Sequence, residues 1–148
     1  MNGTVKIIGA HDHGDGKPQI IKNLQNAFCE QDGLNYIITY TDRMDSEDDH
    51  RSGSPKASSV TTHRLEIGEG YLRMVQTGDI NSDLLFRLGE AWDTDYQTPY
   101  GLMKMTAITR NLMVEISPKK ITAHVQYELQ MDGDKISDSK VRISFTFE

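Results

Sequence analysis

The C-terminal third of the chain alternates apolar and polar residues with a period of two. Ile121, Ala123, Val125, Tyr127, Leu129 and Met131 form one set, and Thr122, His124, Gln126, Glu128 and Gln130 the other. Successive side chains of a strand point to opposite faces, so this run predicts a strand with one face on a core and one in water. Asp132-Gly133-Asp134 follows, with residues that suit a tight hairpin turn. Val141, Ile143, Phe145 and Phe147 then alternate with Arg142, Ser144, Thr146 and Glu148, which predicts a second long strand.

Upstream the same grammar is less regular. Thr98 to Ile116, rich in Met, Thr, Ile, Leu and Val, predicts two strands broken near Arg110-Asn111, because Asn favours the positive φ of turns. Ser117-Pro118 ends the second, since Pro cannot donate to a sheet ladder. Thr61–Ile67 and Tyr71–Thr77 flank a hairpin signal, Gly68-Glu69-Gly70, and Leu34–Thr41 follows Gln31-Asp32-Gly33. Val5–His11 is a first strand. Gln19–Glu30 carries two signals: Ile20, Leu24, Ala27 and Phe28 fit a helical period, whereas Ile21, Asn23, Gln25 and Ala27 make a poor strand face. The Asp-Gly turn and its β-rich partner favour a strand. Ser82–Leu88 reads as a strand or one helical turn, and Glu90–Gln97 as an irregular segment holding Trp92. Residues 42–59, acidic and then rich in Ser, Gly and Pro, read as a mobile loop between two strands.

Eight or nine strands joined mostly by short turns, with almost no helix, predict an all-β, antiparallel, up-and-down architecture. An open sheet of that size leaves two edges unprotected. Closure into a single β-barrel over residues 1–148 is therefore expected, with a two-sheet sandwich as the alternative.

Composition narrows the partners. The net charge is −6, and the longest basic run is Lys119-Lys120, so neither nucleic acid nor a membrane is expected as a partner. The single cysteine, Cys29, excludes an internal disulfide. Beside Glu30, which raises a thiol pKa, it reads as a small strand residue. No charged region precedes an apolar run of targeting length, and no apolar stretch approaches the ~20 residues of a membrane span. A cytoplasmic protein is expected.

Candidate chemistry is sparse. Arg73 and Arg87 sit within apolar segments, Leu72-Arg73-Met74 and Leu85-Phe86-Arg87-Leu88. Alternation points both to water; turned inward, either guanidinium would need a carboxylate or an anionic ligand. In Thr98-Pro99-Tyr100-Gly101, Pro99 and Gly101 shape the backbone, and Tyr100 is a candidate for the barrel mouth. Met103 and Met105, at strand spacing, read as core filler or as the lining of an adaptable pocket. Trp92 reads as a lid or as an anchor against the barrel end. His11-Asp12-His13-Gly14-Asp15 and the group Asp45, Asp48, Asp49 and His50 hold metal-ligand residue types without a recognised spacing. No metal and no cofactor are expected. Nucleophile-elbow and phosphate-loop motifs are missing, so no catalytic residue is assigned.

The stretch Tyr96-Gln97-Thr98-Pro99-Tyr100-Gly101-Leu102-Met103-Lys104-Met105-Thr106-Ala107-Ile108-Thr109 resembles the YwiB-like family of small bacterial proteins. That family is a domain of unknown function assigned to the calycin-like (lipocalin-like) β-barrels. The order of elements agrees: a hairpin around Asp32-Gly33, a strand with Arg73 and Met74, Thr77-Gly78, the Thr-Pro-Tyr-Gly segment, then two long strands. The resemblance implies a barrel in a bacterial cytoplasm and implies no activity. Three expectations follow. The first is a barrel holding a small apolar or anionic ligand near Arg73, Arg87, Trp92, Tyr100, Met103 and Met105. The second is a structural or interaction barrel without ligand, self-associating as a homodimer. The third and least favoured is a hydrolytic enzyme.

Overall fold

The computed structural model describes residues 1–44 and 59–148. Ten strands follow in chain order: β1 (Asn2–Asp12), β2 (Gln19–Asp32), β3 (Asn35–Met44), β4 (Ser59–Gly68), β5 (Tyr71–Gly78), β6 (Ser82–Phe86), β7 (Ala91–Thr98), β8 (Gly101–Ile116), β9 (Lys120–Met131) and β10 (Asp134–Phe147). They form one sheet ordered β6-β5-β4-β3-β2-β1-β10-β9-β8-β7. Every ladder is antiparallel, and β10 returns to pair with β1. The two ends of the sheet, β6 and β7, meet along a seam. There Asn81 and Gln97 exchange two backbone hydrogen bonds of 2.9 Å. The Trp92 indole N–H also donates to the Asp83 carbonyl at 2.8 Å. The result is a nearly closed all-β barrel.

Ten strands exceed the expected eight or nine because Glu90–Gln97 is not irregular. Within β7, Trp92, Thr94, Tyr96 and Thr98 are half-buried, while Ala91, Asp93, Asp95 and Gln97 are exposed. The alternation is real, but its inner members are mostly polar or amphipathic, so hydrophobicity alone does not reveal it. Of Ser82–Leu88, the part Ser82–Phe86 is the strand β6, and Arg87 and Leu88 lie beyond its end. Gln19–Glu30 lies within a strand, and its unpromising face, Asn23, Gln25 and Ala27, is the more buried one.

Residues 101–116 are one strand, not two. The pairing with β9 shifts between Thr109 and Asn111, which leaves Arg110 as the extra residue of a β-bulge. The bulge restores the facing of a long strand: Met105, Ala107 and Thr109 are buried before it, and Leu112 and Val114 turn inward after it. Asn111 thus marks a bulge instead of a turn. At the β9–β10 hairpin, Asp132 (φ 50°) and Gly133 (φ 87°) both adopt positive φ, which matches the right-handed twist of the flanking strands.

The core lies on the inner face. Val5, Ile38, Leu65, Ile67, Leu72, Phe86, Ile121, Ile143 and Phe145 are essentially without exposure. Residues 45–58, most of the expected acidic loop and all of the group Asp45, Asp48, Asp49 and His50, lie outside the described residues. Among the described residues no helix is long and apolar enough to cross a membrane.

Candidate functional site

On β10, β1, β3, β4 and β5 the inner face changes character along the strand. On β10 the inward residues run Phe145, Ile143, Val141, Ser139, Ser137. On β1 they run Val5, Ile7, Gly9, His11; on β3, Ile38, Tyr40, Asp42; on β4, Ile67, Leu65, His63; on β5, Leu72, Met74, Gln76. The polar members lie toward one end, called here the upper lumen, where β8 and β9 contribute the apolar side chains of Met103, Met105, Ala107, Leu129 and Met131. Across four adjacent strands, His11, Ser139, Tyr127 and Thr109 stand side by side in one row.

Hydrogen bonds join the first two members of this row and continue along β10 to Ser137. His11 Nδ1 lies 2.7 Å from Ser139 Oγ, and Ser139 Oγ lies 2.9 Å from Ser137 Oγ. Tyr127 faces Ser139, and its ring packs on Phe86 at 4.8 Å. Burial raises the Tyr127 pKa, and its contact with the Ser139 hydroxyl opposes that rise. Thr109, 1% exposed, completes the row, yet its Oγ1 has no partner among the described residues. A buried hydroxyl without a partner costs about 1–3 kcal/mol.

A second polar group occupies the same end. The Gln25 amide donates to Asp42 Oδ1 and to Asn23 Oδ1, each at 3.0 Å. His63 Nε2 is 3.9 Å from Asp42 Oδ2, and the His63 ring stacks on Tyr40 at 4.6 Å with planes 3° apart. Burial, and then the Asp42 charge, push the Tyr40 pKa well upward. The Ser82 hydroxyl donates to Gln76 Oε1 at 3.0 Å. Beside Ser82 and Gln76, the seam holds a cleft of about 570 Å³ that also touches Thr94, Gln97 and Leu102.

Both imidazoles are held below their usual range. Burial lowers His11, and His13 lowers it further; burial lowers His63, against an upward pull from Asp42. The folded state therefore binds fewer protons on these groups than the unfolded chain does as the pH drops. Their contribution to stability is fully present above the unfolded value of 6.5 and is lost as pH falls through the window below it. The expected result is a melting temperature that declines from pH 7 to pH 5, with a smaller decline in a His11→Asn, His63→Asn double variant. An equal decline in both proteins would show that other groups carry it.

The residues expected from sequence divide into two groups. Arg73 lies on the outer face, with Nε 2.8 Å from Asp83 Oδ1, and Arg87 is exposed with its guanidinium 5.8 Å from the Tyr71 ring centre. Neither guanidinium reaches the lumen. Tyr100, 99% exposed, sits in the turn between β7 and β8 and is not at a lumen wall. Met105 is buried and Met103 half-buried on the inner face of β8, and Trp92 reaches across the seam. Cys29 is fully buried, and burial raises its thiol pKa, against the N-terminal ammonium and with help from Glu30. Asp12 and Asp15 accept backbone N–H groups two residues on, which accounts for part of the His11–Asp15 stretch as turn chemistry. Among the described residues no three His, Cys, Asp or Glu side chains converge to hold a metal ion.

Sequence reasoning named His11 as a metal-ligand residue type and missed the rest of the polar end. The signal was there: extending the apolar alternation of β10 and β1 toward the upper end places Ser139, Ser137 and His11 inside.

The family model described as "Domain of unknown function (DUF1934)" matches residues 5–143. The chain belongs to that family. In fold it is similar to the crystal structure of the ywiB protein from Bacillus subtilis, with a TM-score of 0.79 over 99% of this chain and 92% of that one, at 12% identity. At that identity the DUF1934 chain and its neighbour share a fold, and nothing about a ligand passes between them. No curated protein matches the sequence.

Proposed function

We propose that this DUF1934 barrel binds a small polar ligand in its upper lumen, reached through the β6–β7 seam. The observation that supports this most is the Thr109 hydroxyl, buried and unpartnered in the same row as the hydrogen-bonded His11 and Ser139. Native structures rarely leave such a group unpaired, and a bound molecule is one way to pair it. Specificity would come from a few fixed polar groups on an otherwise closed wall, the common plan of small-molecule sites. Among the described residues, no Lys or Arg faces the lumen, and Asp42 is its formal charge. A neutral or cationic ligand fits that lining better than the anionic one expected from sequence. The setting proposed for this role remains the bacterial cytoplasm.

Native mass spectrometry of protein purified from its own cells tests the proposal. The expected spectrum contains a species heavier than the polypeptide by one small molecule, diminished in Thr109→Val. Polypeptide mass alone, from several preparations at low activation energy, would count against it.

A further inference from the structure

The strand pairing assembles a basic surface that the linear sequence hides. On the outer faces of β2, β1, β10, β9 and β8, cross-strand neighbours run Lys22, Ile8, Arg142, His124, Met113 in one row. The adjoining row is Leu24, Lys6, Ser144, Thr122, Glu115, and the one on the other side is Ile20, Ala10, Lys140, Gln126, Asn111. Below lies Thr4, Thr146, Lys120. Lys6, Lys22, Lys120, Lys140 and Arg142 are all exposed. None of the five is ion-paired among the described residues, whereas Arg64, Arg73, Arg110 and Lys135 each have a carboxylate partner. The net charge of the chain is nevertheless −6.

Two further features show what this face fits. It is dished: a hollow of about 260 Å³ is lined by Lys6, Lys120 and Arg142, by the Ser144 and Thr146 side chains, and by Leu24. It is also partly apolar, with Ile20, Leu24 and Met113 each more than half exposed among the cations.

We propose that this outer face docks an extended acidic segment of a partner protein. Its carboxylates would pair with Lys6, Lys120 and Arg142, and an apolar side chain would rest on Leu24 beside the hollow. With strands about 4.8 Å apart, five strands and four rows cover roughly 20 Å by 20 Å. That is about half the ~800 Å² per partner of a stable interface between folded proteins, so a peptide suits it better than a second copy of the chain. Exposed aliphatic side chains among the cations favour a peptide over single-stranded nucleic acid, which needs aromatic stacking platforms. The negative charge elsewhere on the barrel repels an acidic chain and steers it to this face.

Fluorescence anisotropy with a labelled synthetic peptide of alternating Glu and Leu tests the proposal, with a thymidine oligonucleotide and phosphatidylserine vesicles as rival probes. The expected result is saturable binding of the peptide that weakens as salt rises from about 0.05 to 0.5 M. Lys6→Glu with Arg142→Glu should weaken it by at least about tenfold, from the reversal of two charges. Lys22→Glu with Lys140→Glu gives a second, independent pair should the first fail to fold, and Arg64→Glu, away from this face, should leave affinity unchanged. No peptide binding, affinity unmoved by either charge-reversed pair, or tighter binding of the oligonucleotide or vesicles would overturn the proposal. The lumen plays no part in this test.

Discussion

Replacing Phe86 by Ala is expected to cost about 3–5 kcal/mol, a large share of the ~5–15 kcal/mol that holds a typical domain together. Phe86 is fully buried, pairs across from Leu72 and packs on the Tyr127 ring at 4.8 Å. It is also the last residue of β6, whose backbone joins β7 only near the upper end, through the Asn81–Gln97 bridge. The aromatic ring therefore does two jobs. It fills the core, and it holds the short strand against the barrel where no ladder does. Denaturant unfolding of Phe86→Ala should show the loss in midpoint, and hydrogen exchange should rise first across residues 82–98. Arg87→Ala, one position on and exposed, should change stability by less than about 0.5 kcal/mol. Similar costs at both positions would mean that the inward and outward faces of β6 have been misplaced.

Two hydroxyls in the same row are expected to respond with opposite signs. Ser139→Ala removes the partner of both His11 Nδ1 and Ser137 Oγ, and leaving buried groups unpaired costs about 1–3 kcal/mol. Thr109→Val removes a buried hydroxyl that pairs with nothing described, at nearly constant shape, and should stabilise ligand-free protein by about 1 kcal/mol. Both are read from thermal unfolding of protein refolded from denaturant, which strips any bound molecule. If Thr109→Val destabilises as Ser139→Ala does, the Thr109 hydroxyl is bonded within the chain, and its support for a ligand disappears.

The fold was legible wherever the inner face is apolar. The strands around Ile121–Met131 and Val141–Phe147 alternate because each apolar residue there lines the core. Where the inner face is polar, hydrophobic alternation fades although the strand continues. Asn23 and Gln25 made β2 resemble a helix, and Thr94 and Tyr96 made β7 resemble a loop. The same cause hid the candidate site. Ser137, Ser139, His11 and His63 carry no motif and are recognised only by counting in twos from the apolar part of their strands. The basic outer face was illegible for a different reason: Lys6, Lys22, Lys120, Lys140 and Arg142 meet only through the pairing of four strands.

We propose a chamber at one end of the barrel with an unfilled hydrogen-bonding position at Thr109. A crystal structure of protein purified from its own cells tests it most directly. The expected map shows density for a small molecule within hydrogen-bonding distance of Thr109 Oγ1. An upper lumen packed by the chain's own side chains, with Thr109 Oγ1 bonded to one of them, would contradict the account.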